Sequence, residues 1–138
     1  MIIDIRRAIE ALVPNAKWDY SIPNEGGTEA QYAAITWSDT RPKPAWADLV
    51  AVAEGFAAAE LLAKRQSAII GPIELGEKLN ALGMFDAVNT WANAQGGQIA
   101  WAWNRATQFE RLHPMVLAAQ AEFGWTDEQT DAIFNVTL

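Results

Sequence analysis

The chain has 138 residues, about half of them hydrophobic, a formal net charge of −7 and no cysteine. That length and apolar content suit one compact domain, or a small module with a second one leaning on it. The basic residues do not gather into a stripe, so neither nucleic acid nor an anionic membrane has an obvious seat, and disulfide or thiol chemistry is not available.

The start of the chain, Met1-Ile2-Ile3-Asp4-Ile5-Arg6-Arg7, lacks a basic region followed by a long apolar run, so no signal peptide is expected. No stretch reaches the roughly 18 apolar residues of a membrane-spanning helix. Synthesis in the cytoplasm is the default expectation. Alanine occurs 26 times and tryptophan seven times. Alanine favours helix and close backbone approach, while tryptophan supplies large contact area.

Residues 2–13 read as an amphipathic helix with Ile2, Ile5, Ile9, Leu12 and Val13 on one face, ended by Pro14-Asn15. Two candidate strands follow, Lys17–Ile22 and Gln31–Trp37. The turn formers of Pro23–Thr28 join them, which predicts a β-hairpin beneath the first helix. Ser38–Pro44 reads as a linker, because two prolines one residue apart favour an extended path. A long alanine-rich helix is expected from about Ala45 to Ala68. Short helices are then expected at Ile73–Leu82, Met84–Asn93, Gln98–Leu112, Pro114–Phe123 and Asp127–Val136. Gly83, Gly96-Gly97 and Gly124 mark the breaks, and Thr126 with Gln129 fits a capping box. The expected fold is mainly α (α+β). Its segments are an N-terminal helix and hairpin (1–40), a linker with the long helix (41–70), and a C-terminal helical bundle (71–138).

Chemistry is hard to assemble from these residues. His113 is the sole histidine, and its place before Pro114 suits a residue opening a helix better than a general base. Ser21, Ser38 and Ser67 lie in no nucleophile elbow, and the two Gly-Gly pairs lack phosphate-loop spacing. Asp127 and Asp131 share a helical face, but first-turn carboxylates are explained by the helix dipole. Glu74 and Lys78 form an ordinary i,i+4 surface pair. No catalytic residue, cofactor or metal is expected, and the chain reads as a binding protein. An enzyme built on a carboxylate pair would need His113 and Asp127/Asp131 to converge in one pocket.

Two contact surfaces stand above background. Leu49, Val52, Phe56, Ala59, Ala63 and Gln66 follow heptad spacing, and Trp46, Val50, Ala53 and Ala57 form a second stripe beside it. Burial within the fold and self-association as a homo-oligomer are both open for that helix. The second surface lies around residue 101. Positions two apart on a helix differ by about 200°, so Trp101 and Trp103 face different ways. Ile99, Ala102, Trp103, Ala106 and Phe109 form the apolar stripe, which leaves Trp101 on the side of Arg105. Coverage by a neighbouring helix is one reading of that face. An aromatic-plus-arginine contact patch is the other. The candidate partner interface is therefore Trp46, Leu49, Phe56, Ala59 and Ala63, with Trp101 and Arg105.

The order of these features carries a resemblance. An opening helix ends in Val13-Pro14-Asn15-Ala16, and an aromatic segment ends in Ile35-Thr36-Trp37. Arg41-Pro42-Lys43-Pro44-Ala45-Trp46-Ala47-Asp48-Leu49 then leads into the long helix. This front end resembles the small XkdW-type proteins encoded beside tail-fibre genes in tailed bacteriophages and prophages. The back half, through Glu77-Lys78-Leu79, Phe85-Asp86-Ala87-Val88 and Trp103-Asn104-Arg105-Ala106, resembles short helical modules of the same gene neighbourhoods. The resemblance implies a non-enzymatic tail protein located in the virion, binding a tail-fibre or baseplate component. The alternative it implies is a fibre-assembly chaperone absent from the finished particle.

Overall fold

The computed structural model describes residues 1–137 and is mainly helical. Among those residues there are eight helices and one two-stranded antiparallel sheet. Among the described residues, no helix is long and apolar enough to cross a membrane. The chain forms two compact units, Met1–Ala59 and Glu60–Leu138, each with its own core.

In the first unit, α1 (Ile5–Leu12) begins later than the periodicity predicts. Asp4 caps it by accepting from the Arg7 N–H at 3.0 Å. Ile3 stays extended because it exchanges two backbone hydrogen bonds with Gly27. Gly26 has φ of +107°, and a Cβ there would sit 2.7 Å from the Ile3 carbonyl oxygen. Glycine is therefore required for the chain to return this closely. Ile5, Ile9 and Val13 are buried as expected, but Ile2, 70 % exposed, and Leu12 are not.

The β-hairpin expected over residues 17–37 is not formed. In place of the second strand stands α2 (Glu29–Ala34), started by a Thr28/Gln31 capping box. A single bridge between Trp18 and Trp37 is all that pairs the two segments as strands. Asp19 replaces the ladder by accepting from the Thr36 N–H at 2.9 Å and from Ser21. Tyr20 takes φ of +55°, unusual for a non-glycine residue. It is held there by stacking on Trp18 at 4.4 Å and by donating its hydroxyl to the Ala16 carbonyl. Trp18, Ile22, Tyr32 and Ile35 all reach the core without any sheet to carry them.

Residues 38–44 contain neither helix nor strand, yet they are tied down. Asp39 accepts from the Lys17 N–H and from the backbone and guanidinium of Arg41. The Arg41 guanidinium holds that carboxyl well below the usual aspartate range. Tyr32 donates its hydroxyl to the Pro44 carbonyl at 2.5 Å. From there α3 (Trp46–Ser67) runs 22 residues, and the boundary between the units falls within it.

In the second unit, β1 (Ile69–Ile70) pairs with β2 (Phe109–Glu110). Between them lie α4 (Pro72–Ala81), α5 (Phe85–Gln95) and α6 (Gly97–Arg105), and after them α7 (Pro114–Phe123) and α8 (Asp127–Ile133). The helix expected over 98–112 stops at Arg105, because Ala106 turns extended and delivers Phe109 to the sheet. Gly83, Gly96, Gly97 and Gly124 all have positive φ at the expected breaks. The expected Thr126/Gln129 box opens α8, and His113 opens α7 by accepting from the Met115 N–H through Nδ1. Leu79, Val88, Phe109, Val116 and Phe134 are among the buried residues of this core.

Candidate functional site

The two tryptophans of α6 part as their spacing predicts. Trp103 packs on Phe85 and Phe109, with ring centroids 6.2 and 5.8 Å away. Its Nε1–H donates to Asn89 Oδ1 at 2.7 Å, which ties α6 to α5. Trp101 is 63 % exposed. The Arg105 guanidinium lies 5.8 Å from its ring centroid, within cation–π range. An indole and a guanidinium presented together offer apolar area, a ring face and directional donors to whatever meets them.

The long helix divides its candidate residues differently. Leu49 is fully buried in the first core, so of the two open readings it takes burial and is not a contact residue. Trp46 is partly buried, tilted against Tyr32 at 5.9 Å. Phe56 is partly buried with the Arg7 guanidinium 4.0 Å over its ring. Ala59 and Ala63 are exposed. The heptad pattern thus describes core packing at its first positions and open surface at its last ones.

The most strongly bonded polar cluster went unrecognised in the sequence. Asp131 is only 6 % exposed. It accepts from Arg65 through Nε and Nη2, the latter at 2.6 Å, and from Arg111 Nε at 2.8 Å. Arg111 is 1 % exposed and also reaches Asp127 Oδ1 at 3.3 Å. Gln120 donates to the same Asp127 oxygen at 2.8 Å. The helix-dipole account of Asp131 is therefore incomplete, since this carboxylate is the anionic centre between two guanidiniums. Burial pushes its pKa up, but the hydrogen bonds from Arg65 and Arg111 outweigh that and hold it below the usual value. The i+4 spacing of Asp127 and Asp131 was visible, but the two arginines lie 66 and 20 residues before Asp131. No local pattern announces them.

Glu74 and Lys78 do not pair with each other as the spacing predicts. Lys78 Nζ donates to Asn135 Oδ1 and to the Ala132 carbonyl, and Asn135 Nδ2 donates to Glu74 Oε1 at 3.0 Å. Asn135 can stand between them because it turns α8 off with φ of +58°. Among the described residues, no three His, Asp or Glu side chains gather as a metal site would require.

Alongside these contacts, α4 and α8 enclose a groove of about 500 Å³. No family model matches the chain, and comparisons with curated proteins and with solved structures return no match.

Proposed function

We propose that this protein is a non-enzymatic binding module of a bacteriophage tail, attaching to a fibre or baseplate protein through the Trp101–Arg105 face. The observation that carries the binding half is the exposure of Trp101 with Arg105 over its ring. Exposed tryptophan and arginine in one patch is the composition that dominates protein-interface energetics. The groups that would have served a carboxylate-based reaction have other work. His113 caps α7, and Asp131 neutralises two arginines. The tail assignment draws its support from the order of features shared with the XkdW-type proteins.

Mass spectrometry of purified virions tests the placement. The chain is expected in mature particles, in fixed ratio to a fibre or baseplate protein. Presence during assembly and absence from finished particles would replace attachment with chaperoning. The contact face is tested separately by Trp101→Ala with Arg105→Glu. That double variant is expected to fold normally and to be missing from particles.

A further inference from the structure

The groove between α4 and α8 has a chemistry of its own. Ala81, Leu82 and Met84 line one side, and Trp125, Ala132 and Ile133 the other. Its volume is that of a small-ligand site, a class lined mostly by apolar groups with a few polar ones to fix orientation. Only two lining residues are polar, Gln129 and Lys78. Gln129 is committed to the α8 cap, where its Oε1 accepts from the Thr126 N–H.

Lys78 is the sole charged residue on the lining. Both acceptors of its ammonium, the Ala132 carbonyl and Asn135 Oδ1, are neutral. Two of the three ammonium donors are used in this way, which leaves the third for a ligand. Its nearest carboxylate in this network, Glu74, is reached only through Asn135. A cation without a direct anionic partner thus stands beside an apolar trough and complements an anion carried on an apolar body. A cationic amphiphile is disfavoured by the same arrangement.

Depth supports a chain-like body. A small apolar cavity of about 30 Å³ lies in the core, and Trp125 and Ile133 line both it and the groove. Met84, on the opposite side, is an unbranched side chain that readily reshapes. We propose that this groove binds an apolar molecule bearing a single carboxylate, of the medium-chain fatty-acid class. Its chain lies against Leu82, Trp125 and Ile133, and its carboxylate sits at Lys78.

Dodecanoate, kept below its micelle threshold and titrated calorimetrically into the full chain, is the probe. One molecule is expected to bind per chain, with dodecyltrimethylammonium at least tenfold weaker. Lys78→Gln is expected to weaken dodecanoate by about tenfold or more, the scale of one charged hydrogen bond, while Lys78→Arg retains it. Ala132→Trp, which fills the groove from an exposed position, is expected to abolish binding with the helical signal unchanged. Should that variant unfold, Ala81→Trp fills the groove from the other side. Absence of saturable binding, equal affinity for both amphiphiles, or binding that survives a folded groove-filling variant overturns the proposal. So does closure of the groove by a second copy, seen as a dimer in sedimentation that dodecanoate does not dissociate.

Discussion

Asp131 shows how much a single carboxylate can hold in a protein of this size. It neutralises Arg111, whose side chain is almost wholly removed from water, and Arg65 at the end of α3. A buried charge that loses its partner keeps its desolvation cost without compensation. Asp131→Asn is therefore expected to destabilise the fold by about 3 kcal/mol, measured by urea unfolding. A loss below about 1 kcal/mol would show that the arginines find other acceptors. The pH dependence has a definite sign. The folded pKa of Asp131 lies below its unfolded value of about 3.9, so the contribution is present above that pH. It is lost as the pH falls through the folded value, and an acid titration of stability should be shallower in Asp131→Asn than in the native chain.

Among the elements, α6 sends two tryptophans into opposite surroundings within one turn of helix. Trp103 is partly buried and packs against the second core, so Trp103→Ala is expected to cost about 3 kcal/mol, the lower end for a large aromatic. Trp101→Ala should change stability by no more than about 0.5 kcal/mol, the usual range for surface positions. Thermal melts of the two variants measure this directly, and comparable losses would mean Trp101 is also structural. The short helix α2 depends on its cap rather than on length. Thr28→Ala removes the acceptor for the Gln31 N–H and is expected to cost about 1 kcal/mol in a denaturant titration. No change would place the whole of α2's stability in the packing of Tyr32.

At the scale of the molecule, charge sets the expected partners. A net −7 with no basic stripe leaves phosphate neutralisation without a seat. The protein should pass through a heparin column at low salt, and retention there would reopen a nucleic-acid role. The same scale shows what could be read along the chain. Most helix positions after residue 44 were legible, because proline, positive-φ glycine and capping residues act within a few residues of where they stand. The exception is the helix expected over 98–112, which stops at Arg105. The opposed faces of Trp101 and Trp103 followed from helical spacing alone. Local pattern also carried the mainly helical fold class and the opening of α7 by His113.

Tertiary structure decided the rest. Alternating aromatic residues around Trp18 and Tyr32 suit a strand, yet the Thr28 cap and the burial of Tyr32 favour a helix at that point. Leu49 and Ala63 belong to one heptad pattern, and only packing made one core and the other surface. The pairing of Arg65 and Arg111 with Asp131, and the mostly apolar groove that Lys78 borders, join residues distant in sequence. Local chemistry fixes where a helix begins and which way a side chain points. What that side chain meets is settled only when segments far apart in the chain compete for the same space and the same charges.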